Sequence, residues 1–113
     1  MPTTSRTAFI PLIKVAFGAV TGAYAPIGSP LPFPIQSLVI ENSLNQDVIL
    51  STDGVTDMFE VLAGPEAISL DVGSFQKDIQ NGLPKGTQFF IKNDGVAPTS
   101  GKLTIQGVGM QIL

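Results

Sequence analysis

Hydrophobic and polar residues alternate along most of the chain after residue 35, in short segments that turn-forming residues separate. Alternation with a period of two is typical of strands with one buried face. Asp53 and Gly54 form a dipeptide that favours a tight hairpin, and residues 75–79 have room for one helical turn. No longer helical period competes with the strands. The segments that this pattern predicts as strands are residues 36–42, 47–51, 58–62, 67–72 and 87–92.

The last hydrophobic segment changes parity along its length. Leu103 and Ile105 share one face of a strand, whereas Val108, Met110 and Ile112 have the opposite parity. We therefore expect a β-bulge or bend at Gly107 that restores the apolar face. Six or seven short strands predict an all-β fold, a small β-sandwich or a jelly roll. The expected core residues are Leu38, Ile40, Val48, Leu50, Phe59, Val61, Ile68, Leu70, Ile91, Leu103 and Ile105.

The first 34 residues differ from the rest in containing six of the nine prolines. Proline fixes φ and donates no backbone hydrogen bond, so residues 30–34 should form an extended connector. Residues 8–10 and 13–17 are apolar enough for short strands. These could be edge strands of the same domain, but we favour an arm that lies across another subunit. The predicted organisation is an extended N-terminal arm at residues 1–34 and a β-sandwich domain at residues 35–113.

An arm of this kind should bind a neighbour through its large apolar side chains. Deleting residues 2–25 should then leave a folded β domain that no longer binds that neighbour. The residues predicted to make intersubunit contacts are Phe9, Ile10, Leu12, Ile13, Val15, Phe17, Tyr24, Leu31 and Phe33.

Charge is sparse and unevenly distributed. Only 13% of residues are charged, about half of the usual share, so much of the surface should be neutral and should face a partner. All nine acids lie between Glu41 and Asp94, whereas residues 1–40 carry only Arg6 and Lys14. We expect a homo-oligomer. No basic cluster favours nucleic acid, and no apolar run reaches the ~20 residues that span a membrane.

The residue types needed for most catalysis are missing from the chain. It has no histidine, no cysteine and no tryptophan, so nucleophilic catalysis lacks its usual base. Paired carboxylates could hydrolyse glycosides, but one tyrosine and no tryptophan make a poor sugar cleft. Residues 53–57 lack the spacing of a calcium loop and should form a turn. We expect no enzyme activity, no cofactor and no metal.

The Phe89–Phe90 pair places one ring on each face of its predicted strand. One ring should enter the core. The other should cover an interface or pack under the N-terminal segment.

Three stretches resemble small virion proteins of tailed bacteriophages: LVIENSLNQDVILSTDG at residues 38–54, KGTQFFIK at residues 85–92 and APTSG at residues 97–101. The resemblance is one of strands and turns over residues 10–113, and it brings no catalytic residues. It implies a virion location and a capsid cement or decoration protein, whose jelly-roll body and arm join neighbouring major capsid subunits.

Two other functions stay open. Head-to-tail connectors and tail-associated ring components are similarly small β-sandwiches, and their partners would be neck or tail proteins. A carbohydrate-binding surface module is a third possibility, from a different class.

Overall fold

The computed structural model describes residues 5–64, 67–71 and 83–112, with side chains for residues 7–64 and 83–109. These residues form an all-β fold with a single short 3-10 turn, Phe17–Ala19. The strands are β1 (Ser5–Phe9), β2 (Ile13–Ala16), β3 (Ala25–Ile27), β4 (Ile35–Asn42), β5 (Val48–Ser51), β6 (Phe59–Val61), β7 (Ala67–Asp71), β8 (Phe89–Asn93) and β9 (Lys102–Ile112). The expected helical turn at residues 75–79 lies outside the described residues.

The strands pair in a nested order, first with last, and every pair is antiparallel. Strands β1 and β2 pair with β9, β3 with β8, β4 with β7, and β5 with β6. Two further pairings, β4 with β9 and β5 with β8, join these pairs into sheets. Sheet A has the order β1-β9-β4-β7, with β2 also on β9, and sheet B has the order β3-β8-β5-β6. Nested pairs split between two sheets define a jelly roll.

One hydrophobic core fills the space between the two sheets. Leu103 and Ile105 of sheet A and Val48 and Ile91 of sheet B are fully buried in it. Of the eleven residues expected in the core, eight are buried and Phe59 packs against them half-buried. The side chains of Ile68 and Leu70 lie outside the described set. The alternation of the sequence therefore predicted the buried face correctly at these nine described positions.

The expected extended N-terminal arm is not supported, because residues 5–34 belong to the jelly roll itself. They supply β1 and β2 to sheet A and β3 to sheet B. Their apolar side chains also enter the core, which holds Ile10, Ile13, Val15, Val20, Ile27, Leu31 and Phe33. The expected extended connector at residues 30–34 is interrupted by a bend at Pro32 and Phe33. Proline composition could not distinguish an arm from edge strands, because prolines are tolerated in both.

Pro11 divides the edge of sheet A into β1 and β2. Phe9 pairs with Val108, and Ile13 pairs with Ile105. The edge therefore advances by four residues where β9 advances by three. The extra residue makes a bulge, and Pro11 fits there because it has no N–H to offer. Ile10 keeps the edge attached by donating its N–H to the Gly107 carbonyl at 3.1 Å.

The expected change of phase at Gly107 is wrong. Alternation continues along β9, with Leu103, Ile105, Gly107 and Gly109 all facing inward. The register shifts on the opposite strand, between Ile35 and Ser37 of β4. Glycine is required at position 109 because a neighbouring segment passes close: a Cβ on Gly109 would lie 1.8 Å from the Pro34 carbonyl oxygen. Val108, which has the opposite parity, thus faces outward and is only partly buried.

Candidate functional site

The structure separates the nine predicted contact residues into two groups. Five are buried in their own domain, and these are Ile10, Ile13, Val15, Leu31 and Phe33. Their side chains stabilise the jelly roll. Phe9, Leu12 and Phe17 are exposed, at 78%, 47% and 43%, and Tyr24 is half-buried. Intersubunit contact stays a prediction for the exposed residues.

Phe9 stands on the outer face of sheet A beside a shallow depression. The depression measures about 80 Å³, and Ser37, Val39, Gln106 and Val108 line it together with Phe9 and Gly107. Every one of these residues is uncharged. Val39 and Val108 are half-exposed, so this part of the face presents apolar surface to solvent.

A larger apolar groove lies at one end of the sandwich. It encloses about 320 Å³ between the β1–β2 connection, residues 10–13, and the loop after β3, residues 28–32. Pro11, Pro30 and Pro32 form much of its rim, and none of its lining residues is charged. Gly28 has φ 67°, and a Cβ there would lie 2.9 Å from the Ile13 side chain. The groove can accept an apolar side chain but has no charged group with which to orient a ligand.

The outer face of sheet B is polar by contrast. The Tyr24 hydroxyl donates a hydrogen bond to the Asp57 carboxylate, which also pairs with the Lys92 ammonium at 3.0 Å. That ammonium lies 4.7 Å from the centre of the Tyr24 ring, within the range of a cation–π contact. Desolvation and the hydrogen bond to Asp57 raise the pKa of Tyr24 to about 12. The three side chains contact one another, and the Lys92 ammonium covers one face of the Tyr24 ring. A sugar cannot stack on that face.

Hydrogen bonds to one carboxylate organise the β5–β6 loop. The Asp53 carboxylate accepts hydrogen bonds from the N–H groups of Val55 and Thr56 at 2.8 and 2.7 Å and from the Ser51 hydroxyl at 2.8 Å. The backbone donors hold the pKa of Asp53 well below its usual range. Gly54 adopts φ 76° over the Phe90 ring. The carboxylate is thus engaged by backbone N–H groups, as the turn prediction requires.

Three carboxylates that are distant in sequence meet at one end of sheet B. One oxygen each from Asp47, Glu60 and Asp94 lies within 4.8 Å of the others. A hydrogen bond to Asp94, together with its charge, raises the pKa of Glu60, while Asp47 accepts a bond from the Ala63 N–H at 2.7 Å. The sequence analysis did not identify this cluster. The pairing of β5 with β6 and β8 brings these residues together, and only that cross-strand register could have indicated the cluster.

The Phe89–Phe90 prediction is confirmed for the core ring, because Phe89 is only 2% exposed. Phe90 is half-buried under Gly54 and lies opposite Pro26 of β3. Its ring therefore packs between the β5–β6 loop and the N-terminal segment.

Searches of family models, curated proteins and solved structures found no protein that matches this chain. Within the part of the chain that the structure describes, no helix is long and apolar enough to cross a membrane.

Proposed function

We propose that this chain is a structural protein of a bacteriophage virion, a cement protein that binds the outer shell and joins neighbouring major capsid subunits. Its surface is the observation that carries the proposal. Seven large hydrophobic side chains are exposed among the described residues, in a chain that is 13% charged. Contiguous exposed apolar surface is typical of sites that bind another protein, and the uncharged groove at residues 10–13 and 28–32 is such a surface.

The jelly-roll fold agrees with this function without deciding it. Jelly rolls recur in viral capsid proteins and in lectins, and a fold alone does not define a function. The outer face of sheet B argues against the lectin alternative, because its tyrosine is engaged by Asp57 and Lys92. A sugar site would need an open aromatic ring with free polar groups around it.

The capsid-binding surface that we propose is the groove end of the sandwich. Leu12 lies on the groove wall, and Phe17 follows β2 on the same edge of sheet A. Both are more than 40% exposed, and a partner side chain that enters the groove would bury them. Each copy contributes a modest contact, and many copies on an ordered shell reinforce one another.

The test compares particles made with and without this protein. Particles that lack it should assemble and fill, but should release their DNA at a lower temperature, and purified protein should restore the release temperature. Leu12→Asp should fail to restore it, whereas Val55→Asp, which places the same charge on the β5–β6 loop, should succeed. Unchanged thermal release without the protein would contradict a cement function. A failure to join heads to tails would support the connector alternative instead.

A further inference from the structure

The outer faces of the two sheets differ in a way that selects one of them for self-association. Sheet B carries the Tyr24–Asp57–Lys92 group and the carboxylates of Asp47, Glu60 and Asp94 on its strands and adjoining loops. On sheet A, the described side chains around Phe9 are uncharged. Removing this part of sheet A from water therefore costs much less than removing the charged groups of sheet B.

We propose that two copies of this chain stack through the outer faces of sheet A, about a two-fold axis that runs along β9. The inference deepens the proposed function, from which it takes only the expectation of self-assembly. A two-fold interface must be complementary to itself, and the register of sheet A meets that condition at two separate places.

The first place is Phe9 and the depression beside it. Val108 lies between Phe9 of β1 and Ser37 of β4, so Phe9 and Ser37 are on opposite sides of β9 in one cross-strand row. Rotation about an axis along β9 exchanges the two sides of the row. The Phe9 ring of each copy then faces Ser37 and Val39 of the other, which line the depression.

The second place is a pair of opposite charges in another row of the same face. Thr104 of β9 lies between Lys14 of β2 and Glu41 of β4. The same rotation places Lys14 of each copy over Glu41 of the other. Lys14 has no carboxylate within 4.0 Å among the described residues, where Lys92–Asp57 is the ion pair. One axis thus provides both the apolar contact and two intersubunit ion pairs, while Lys102, two residues from Thr104 on the same face of β9, lies near its own copy at the exposed end of the interface.

The same axis also sets the area of overlap. Strand β9 has 11 residues and so extends about 36 Å at ~3.3 Å per residue. A rotation about β9 overlaps three strand positions of sheet A, because β7 has no counterpart on the other side of β9, and three strands are about 14 Å wide at ~4.8 Å each. The resulting overlap of roughly 500 Å² is smaller than the ~800 Å² per partner of a standard interface, so we expect a weak dimer.

Sedimentation and light scattering of the isolated full chain test the inference without any particle. The protein should be a dimer at about 100 μM, a concentration that populates any dimer of micromolar Kd. Phe9→Glu should raise the dimer Kd more than tenfold. Val55→Glu is the matched control, because Val55 is 81% exposed and Phe9 78%, and it should leave the Kd unchanged.

Charge reversal supplies a second test that does not depend on folding of the Phe9 variant. Lys14→Glu and Glu41→Lys should each weaken the dimer about tenfold, and the double variant should recover the affinity of the natural chain. A monomeric natural chain, equal weakening by Val55→Glu, or no recovery in the double variant would overturn the inference. A monomer that still protects particles would overturn this inference alone and leave the proposed function standing.

Discussion

Replacing Gly109 by alanine should strongly destabilise the jelly roll, because β9 passes directly against the chain that enters β4. The added Cβ would lie 1.8 Å from the Pro34 carbonyl oxygen, 2.8 Å from the Pro34 carbonyl carbon and 3.0 Å from the Ile35 Cα. All three are backbone atoms. No change of side-chain rotamer can relieve the overlap, so one of the two chains must move.

The magnitude follows from what that movement would break. Ile35 is fully buried, and its N–H and carbonyl bond to Leu83 at 2.8 and 2.9 Å. Pro34 has a fixed φ and can rotate little. Overpacking of a core costs about 1–3 kcal/mol, and a buried backbone bond that loses its partner adds about 1–3 kcal/mol. We therefore expect Gly109→Ala to lower the free energy of unfolding by ~3 kcal/mol or more.

Urea unfolding, followed by circular dichroism, should measure a graded series of three glycine variants. Gly18 has no atom within 4 Å of an added Cβ, so Gly18→Ala should change stability by less than about 0.5 kcal/mol. At Gly107 the nearest atom is the flexible end of Ile10, at 3.0 Å, and we expect about 1 kcal/mol. If Gly109→Ala lies within about 0.5 kcal/mol of the natural protein, the inward orientation of Gly109 is wrong.

The other predictions concern the N-terminal segment, a buried asparagine and the carboxylate cluster. Deleting residues 2–25 should unfold the protein, because it removes both partners of the β9 edge and the buried Ile13 and Val15; heteronuclear NMR of the deletion variant checks this. Asn42→Ala should cost about 2–3 kcal/mol in urea unfolding, because the Asn42 amide donates to the Val61 carbonyl at 3.1 Å and its oxygen accepts from the Leu44 N–H at 3.0 Å, both buried. Glu60→Gln should raise the melting temperature at pH 7 and change it little below pH 4. The hydrogen bond to Asp94 and its charge raise the pKa of Glu60 above the usual value of a glutamate. The stability that the protonated group contributes is therefore present below that usual pKa and is lost as the pH rises through the raised pKa.

Each of these predictions has an outcome that contradicts it. A well-dispersed spectrum from the deletion variant would restore the idea of a separable arm. An Asn42→Ala variant as stable as the natural chain would mean that water or a rearranged backbone satisfies the Val61 carbonyl. Asp94→Asn removes the group that raises the pKa of Glu60. In that background Glu60→Gln should change the pH dependence of melting much less; an equal effect there would assign the Glu60 result to net charge.

Local alternation was enough to predict the fold class and most of the core. Each strand from β4 to β8 was predicted within two residues of its observed ends, because one buried face imposes a period of two on the sequence. Strand β3 was missed, since Pro26 lies in its centre. Proline is compatible with this strand because β3 is at the edge of sheet B. On the open side of an edge strand no neighbouring strand needs an N–H donor.

The features that were mispredicted depend on contacts between distant segments. Sequence parity placed a bulge in β9 because valine and isoleucine were assumed to face inward, but Gly109 is the inner residue since Pro34 passes against it. The N-terminal segment was assigned to a neighbouring subunit because nothing local identifies β9 as its partner. The carboxylate cluster likewise depends on the register of three strands, which composition does not determine.

Quantitative mass spectrometry of purified particles tests the proposed function most directly. A cement protein should be present in hundreds of copies per particle, in a fixed ratio to the major capsid protein, and should remain through repeated washing of filled heads. About six to twelve copies would contradict a cement function and indicate a ring at the neck or tail. Absence from particles would contradict a virion function altogether.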